Sequence, residues 1–407
     1  MKSSLSKFSI AAALLLAACT PSVQDQALMA RVPQAPPIVA ETPEIISKGT
    51  IPPTAPAVKV TLLLPLSGDS VAVGNAMLDA ATMALSDSYL TASPDRIQSR
   101  IILLPKDTGN TPAESARVTQ QAIDQGANFI IGPLFSQSVN IVAPLAKQHN
   151  IGMLTFSNNR AVAGDGVYTF GFLPEQQVVR MAEYAYLHNF QRVALLAPND
   201  SYGEKVKESL VEIYGQKGGT VAPVELYAPS PANIDAAVAR MTASYNNNTE
   251  DRRFQAIFIA DGGHQLKNLI ASLKKNHVDF KKIKLLGTGL WDDPEIAKIP
   301  ELQNAWFPSS PPEPYLIFEK RFMATYGYKP VRLASLAYDA VTLIAGLEMP
   351  TPGTGLTAAA LTDPAGFMSP ANGLMRLKPD GTSERKLAIM EVTPEGFKVI
   401  DPAMRNF

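Results

Sequence analysis

From Val58 to about Val392 the chain alternates short apolar runs with longer amphipathic ones, and this alternation restricts the fold more than anything else in the sequence. Val58–Leu64 reads as a strand, followed by a loop carrying Pro65 and Gly68 and a helical stretch from about Val73 to Leu85. Ile101–Leu104 is the next strand. Thr111-Pro112-Ala113-Glu114 then has the form of a capping box with proline at the first helical position. The helix it opens turns Val118 and Ala122 inward, shows Arg117 and Gln121 to water, and stops at Gly126. Phe129–Ile131 and Met153–Phe156 are further strands with a helix between them. Strand, helix, strand at this spacing makes a parallel sheet.

A second series follows Gly171-Phe172-Leu173-Pro174, with strands at Val193–Ala197, Val221–Leu226, Ala256–Ala260 and Ile283–Leu286. Two such series in about 350 residues exceed what one core usually takes, so the expected fold class is α/β, built as two lobes with parallel sheets. Leu333, Leu336, Val341, Ile344 and Leu347 mark a helix that is apolar almost all round and is therefore buried. Near the end, Leu374–Leu377, the turn Lys378-Pro379-Asp380-Gly381 and Lys386–Val392 read as a β-hairpin. No internal sequence repeat is visible.

In open parallel sheets, ligands bind where loops leave the carboxyl ends of the strands. Those loops are 65–74, 132–138, 157–159, 199–202, 261–264 and 287–293, and all are rich in Ser, Asn, Gly or Asp. They suit a polar cleft between lobes, although each such residue taken singly is also a common turn former or N-cap. The candidate ligand-binding residues are Ser67, Ser136, Thr155, Ser157, Asn159, Tyr202, Asp261, Trp291 and Asp292. The stretch "LLGTGLWDDPEI", Leu285–Ile296, is not a dinucleotide loop, because Gly287 and Gly289 are followed by Trp291 and Asp292 with no third glycine to open a helix. No catalytic constellation stands out: His149, His188, His264 and His277 have no metal-ligand spacing, and Ser67 lacks a nucleophile elbow. Neither a metal, a cofactor nor an enzymatic role is expected.

The first residues speak to location. Lys2 and Lys7 form a basic n-region, Phe8–Leu16 is apolar but too short to span a bilayer, and Leu16-Ala17-Ala18-Cys19 resembles a bacterial lipobox. Cys19 is the only cysteine, so it has no disulfide partner within the chain, and lipidation explains it economically. Thr20 follows it, not the aspartate that resembles an inner-membrane retention signal, so the expected site is the periplasmic face of the outer membrane. The formal charge of −1 (36 − 37) becomes −3 (34 − 37) once residues 1–18 are removed, which asks for neither nucleic acid nor an anionic surface. Residues 19–57 are rich in proline and read as a tether that would span about 30 to 40 Å as a coil and at most about 120 Å as extended polyproline.

Four stretches, "LLLPLSGDSVAVGNAMLDAATMA", "FIIGPLFSQSVNIVAPLA", "VALLAPNDSYGEKV" and "IFIADGGH", resemble the leucine-binding branch of the type I periplasmic binding proteins, and the resemblance covers nearly all of residues 58–400. It implies two Rossmann-like lobes joined by three crossovers around a central cleft. On that pattern residues 58–172 with about 315–371 would form lobe one, and 173–314 with about 372–407 would form lobe two. It also implies that Ser136 and the loop Ser157–Asn159 would hold a ligand carboxylate, and that Tyr202 and Gly203 match a Tyr-Gly motif of lobe two.

The departures matter as much. Asn159 stands where that family usually has threonine, and Gly289 stands where it usually has the acid that pairs with a ligand ammonium. Asp292 would substitute only if its loop folds back, and Trp291 is expected to fill the cleft instead. The stretches "LGTGLWDDPEIAKIPELQNAWFPSSPP", "RLASLAYDAVTLIA" and "GLMRLKPDGTSERKLAIMEV" are more similar to the penicillin-binding protein activator lipoproteins. That resemblance implies a peptidoglycan synthase as partner, with membrane contact only through the lipid. The leucine-binding resemblance implies instead a small polar ligand and an ABC transporter permease.

Overall fold

The computed structural model describes residues 45–46, 55–109 and 111–407. The expected signal peptide, the lipidated Cys19 and most of the proline-rich tether lie outside the described residues.

The strands of the first sheet are β1 (Ile45–Ile46), β2 (Ala57–Leu64), β3 (Arg100–Asp107), β4 (Phe129–Ile131), β5 (Gly152–Thr155) and β6 (Val167–Thr169), in the order β1-β3-β2-β4-β5-β6. All pairs are parallel except β1 with β3, where Ile45 lies opposite Leu103 and Ile46 opposite Ile102. That pairing falls inside the segment expected to be a tether and corrects it: two isoleucines, a strand-favouring residue type, find the open hydrogen-bonding edge of β3. The helices are α1 (Val71–Thr91), α2 (Pro112–Asp124) and α3 (Ser136–Gln148). Helix α1 runs six residues beyond the expected Leu85, and Tyr89 in that extension is buried with its hydroxyl accepting from the Ile101 amide at 2.7 Å. The capping box is half formed: Thr111 Oγ1 accepts from the Glu114 amide at 3.2 Å, while the Glu114 side chain turns to Arg117.

A second sheet uses β7 (Arg192–Pro198), β8 (Thr220–Tyr227), β9 (Ala256–Ile259), β10 (Lys284–Leu286) and β11 (Trp306–Ser309) as its parallel part. The helices alternating with them are α4 (Pro174–Leu187), α5 (Ser201–Lys217), α6 (Pro231–Asn247) and α7 (Gly263–Lys275). After β11 the chain forms α8 (Pro312–Tyr326) and α9 (Ala334–Glu348), whose Phe318, Phe322, Leu336 and Val341 pack in one core with Leu62 and Met77 of the first lobe. Apolar side chains of β7, β9 and β10 fill cores on both faces of the second sheet, which is why these strands read as continuous apolar runs.

The end of the chain departs from the expected hairpin. Strand β12 (Phe367–Ser369), β13 (Gly373–Leu377) and β14 (Ser383–Arg385) make a small antiparallel sheet, with Leu377 opposite Ser383. The register is set by the turn: the Lys378 amide donates to Thr382 O at 2.8 Å, and Asp380 Oδ1 accepts from the Thr382 amide at 2.9 Å. The second arm therefore begins beside Thr382, and the expected arm at Lys386–Val392 belongs elsewhere. Its residues lie mainly in β15 (Ala388–Thr393), which crosses to the second sheet and pairs antiparallel with both β11 and β16 (Gly396–Asp401). Met375 and Leu377 stay in the core of the first lobe, so the chain after residue 371 contributes to both cores. The result is an α/β fold of two Rossmann-like lobes joined by three crossovers, near Phe172, Pro311 and Lys386.

Candidate ligand cleft and the crossover network

On the first lobe, the candidate residues at the carboxyl strand ends are mostly spent on their own loop. Thr155 is fully buried and its hydroxyl donates to Pro133 O at 2.8 Å, while the Ser157 amide donates to Thr155 Oγ1 at 3.2 Å. Ser157, also buried, accepts from the Asn159 amide at 3.1 Å, and Asn159 Oδ1 accepts from the Ala161 amide at 3.0 Å. Each side chain thus props the backbone two residues on, the turn-forming use of such residues. Ser136 is different: it opens α3 half-buried, behind an N-cap residue, Phe135, that offers no side-chain cap. Ser67 is exposed beyond the end of β2.

The second lobe gathers a tighter set. Asp200 caps α5, accepting from the amides of Tyr202 and Gly203 at 2.9 Å each. The Tyr202 hydroxyl lies 2.9 Å from Thr288 Oγ1, and burial pushes its phenol up to about 12. Tyr227, at the end of β8, donates to Asp261 Oδ2 at 2.7 Å, while Asp261 Oδ1 accepts from the Gly262 amide at 2.8 Å. Burial raises the Tyr227 phenol, and its hydrogen bond to Asp261 raises it further, so it stays a neutral donor. Neither Asp200 nor Asp261 has an ion-pair partner among the described residues. Tyr202 and Asp261 were legible as candidates. Tyr227 and Thr288 were not, since each is one polar residue at the edge of an apolar run.

Loop 287–293 overturns two expectations. Trp291 does not fill the cleft: it is fully buried in the second lobe's core, and its indole N–H donates to Asp261 O at 2.9 Å. Gly287 makes the room, because a Cβ there would lie 2.2 Å from the indole. A large apolar ring with one donor gains most where its area is covered and its N–H satisfied, and the lobe interior offers both. Gly289, in place of the family's acid, is covered by Gln177 of α4, whose Oε1 accepts the Gly289 amide at 2.9 Å. Asp292 does not stand in for that acid either. Its Oδ2 accepts from Ser309 Oγ at 2.8 Å and from Arg332 Nε at 3.1 Å, so its charge is already met within the chain.

Arg332 draws the crossovers together. Its Nη1 donates to Asn372 Oδ1 at 2.7 Å and to Ser335 Oγ at 2.8 Å, and its guanidinium lies over the rings of Tyr315, at 4.0 Å, and Phe172, at 5.1 Å. Arg385 lies over the rings of Phe170 and Phe172 at 5.0 and 5.4 Å and donates from Nη2 to Phe170 O at 2.8 Å. Burial lowers the Arg385 guanidinium to about 10, opposed by the nearby carboxylate of Asp339, whose own pKa burial raises. Asp339 accepts from Asn372 Nδ2 at 2.6 Å and from the Ala371 amide at 2.9 Å. Sequence reasoning singled out neither arginine.

Two Rossmann-like lobes joined by three crossovers define the architecture of a binding protein of the periplasmic type. The chain belongs to the periplasmic binding protein family, whose model matches residues 57–397. An uncharacterized protein of Rickettsia prowazekii is 27% identical over 228 residues, 56% of this chain and 59% of that one. The penicillin-binding protein activator LpoA of Pasteurella multocida is 24% identical over 238 residues, 57% of this chain and 39% of that one. The LpoA of Glaesserella parasuis is 30% identical over 160 residues, 39% and 25% of the two chains. The chain therefore spans less than two thirds of the length of the curated relatives it matches. Among solved structures, a putative branched-chain amino acid ABC transporter protein from Rhodospirillum rubrum superposes with TM-score 0.73 at 16% identity, covering 85% of this chain and all of that one. The isoleucine complex of LivJ from Streptococcus pneumoniae gives 0.63 at 19% identity, covering 85% of this chain and 100% of that one. At these identities the likeness is one of fold.

Proposed function

We propose that the chain is a non-catalytic envelope lipoprotein, anchored through Cys19 at the outer membrane, whose binding domain regulates a peptidoglycan synthase. The observation that carries this reading is the state of loop 287–293. Gly289 supplies no carboxylate and is covered by Gln177, while the nearest acid in sequence, Asp292, is neutralised by Arg332. An ammonium held beside Gly289 would lack its usual partner, and an unpaired buried charge costs several kcal/mol. The similarity to penicillin-binding protein activators supports the same reading. The test is a pull-down of a bifunctional peptidoglycan synthase by the lipid-free chain together with a synthesis assay. Retention and faster glycan polymerisation are expected, and no retention would reject the reading.

A receptor for a small polar ligand is favoured by one specific observation: Asp261 is a partly exposed carboxylate, oriented by Tyr227 and without a cation partner among the described residues. On that reading Asp261 and Tyr202 take the ligand's cationic end and Ser136 its carboxylate. Thermal unfolding with a panel of amino acids separates the two, since a ligand at about one hundred times its Kd adds about 2.7 kcal/mol. A selective shift abolished by Asp261→Asn would establish the receptor.

A further inference from the structure

Fifteen large apolar side chains are exposed among the described residues, and five of them fall within 316–331. Helix α8 carries three of these, Leu316, Ile317 and Met323, which are 57, 70 and 45% exposed. Its inner side is already occupied: Phe318 and Phe322 are buried and Tyr315 and Tyr326 half-buried, at the three- and four-residue spacing that marks one side of a helix. Leu316, Ile317 and Ala324 therefore stand on the outward side with Glu313 and Lys320, and all five are exposed. The outward side of a surface helix is ordinarily polar, and clustered large aliphatics there mark a surface that association covers.

The charges say what covers it. Of the four charged side chains on α8, Arg321 pairs with Asp87, and Glu319 pairs with Lys329 at 3.1 Å. Glu313 and Lys320 have no ion pair or hydrogen bond among the described residues. Seven residues separate them, about 10 Å along the axis, so they do not meet each other. The same spacing is close to two full turns, which sets both on one line of the helix surface with Leu316 and Ile317 midway, one to each side. An antiparallel second copy of α8, related by a two-fold axis crossing between Leu316 and Ile317, places Glu313 against Lys320 of the partner subunit and Lys320 against Glu313 of the partner subunit. It also brings each Leu316 against its counterpart and each Ile317 against its own. One symmetry operation thus uses both free charges and both aliphatics, whereas an unrelated protein has to supply a match for each.

We propose that the outward face of α8 is a two-fold interface between two copies of this chain. The aliphatic centre supplies the attraction, and the two Glu313–Lys320 contacts fix direction and register. A contact centred on one helix from each copy lies at the small end of specific interfaces, so the dimer is expected to exchange with monomer. The interface does not depend on the regulator reading or on the receptor reading of the cleft.

The experiment is sedimentation equilibrium of the lipid-free chain at micromolar to millimolar concentration, with thermal unfolding confirming that each variant folds. The parent is expected to show a monomer–dimer equilibrium, and Ile317→Asp to weaken it at least tenfold. Glu313→Lys and Lys320→Glu, each alone, set like charges against each other and are expected to weaken self-association likewise. Mixed together, these two variants match charge for charge, so the mixture is expected to recover a one-to-one dimer. All three positions are exposed, so the substitutions leave the core intact. A parent that stays monomeric at millimolar concentration would overturn the proposal. So would equal self-association in every variant, which would put the contact elsewhere, or charge variants that stay apart when mixed, which would assign the face to a different protein.

Discussion

Arg332 Nε of the first lobe lies 3.1 Å from Asp292 Oδ2 of the second, with the guanidinium seated on the ring of Tyr315 at 4.0 Å. Side-chain exposures of 22% and 27% put this pair between the surface and buried cases, where geometry decides its worth. Arg332 also serves Asn372 and Ser335, so removing it strands several partners at once.

A double-mutant cycle of Arg332→Met and Asp292→Asn is expected to return a coupling of about 1 to 3 kcal/mol by chemical denaturation, with Arg332→Met the costlier single change. Small-angle scattering of Arg332→Met should show the lobes further apart. Additive changes would mean that the contact does not hold the lobes.

Lys284 Nζ sits 3.7 Å from the Trp306 ring and 4.0 Å from Glu391, and burial lowers its ammonium to about 8 against the opposing pull of Glu391. Its folded pKa is depressed, so the unfolded chain holds this proton more tightly. Stability is therefore expected to rise as pH climbs from about 8 towards 10.5. Trp306 fluorescence should titrate near pH 8, with the only other tryptophan, Trp291, buried elsewhere. Lys284→Met should abolish the titration, and its persistence there would reject the assignment.

Two glycines of one loop should respond differently to alanine. At Gly287 the new Cβ meets the Trp291 indole at 2.2 Å within a packed core, so Gly287→Ala is expected to cost at least about 1 to 3 kcal/mol and to disturb the near-ultraviolet spectrum. At Gly289 it meets the end of the flexible Gln177 side chain at 2.7 Å, so Gly289→Ala should cost about 1 kcal/mol, chiefly the Gln177 hydrogen bond. Equal costs would contradict the inward placement of Trp291.

Asp339 and Arg385 form a buried charge pair at longer range, and Arg385→Met is expected to destabilise by about 3 to 5 kcal/mol because it leaves Asp339 uncompensated. Burial raises the folded pKa of Asp339 above its ordinary 3.8, so the stability tied to its protonated form is fully present below 3.8 and is lost as pH rises through the raised value. The deficit of Arg385→Met relative to the parent should therefore shrink as pH falls. A deficit independent of pH would mean that packing, not charge, is lost.

The alternation of apolar runs carried the two parallel sheets because strands buried on both faces and the helices between them leave a pattern within each short window. What failed was whatever depends on distant partners. Nothing near Arg332 in sequence announces Asp292, forty residues away in the other lobe, and nothing near Arg385 announces Phe170. Trp291 was misplaced because the direction of an indole depends on the hollow beneath Gly287 and on a free carbonyl at Asp261. The hairpin was legible in its first arm and its turn. The second arm failed because an apolar run cannot say which of two sheets it joins, and β15 joins the farther one.

The two-residue pairing of Ile45 and Ile46 with β3 bears on how an anchored molecule would carry load. On the proposed anchorage at Cys19, twenty-six positions in sequence separate the anchor from Ile45, and a leash of that length would reach at most about 80 Å if it were drawn out as polyproline. Tension on that leash meets the short pairing before it meets the eight-residue β2, so a modest pull would peel the isoleucines away and pay out the chain up to Ala57. The domain would then have two working radii, a short one at rest and a longer one under strain.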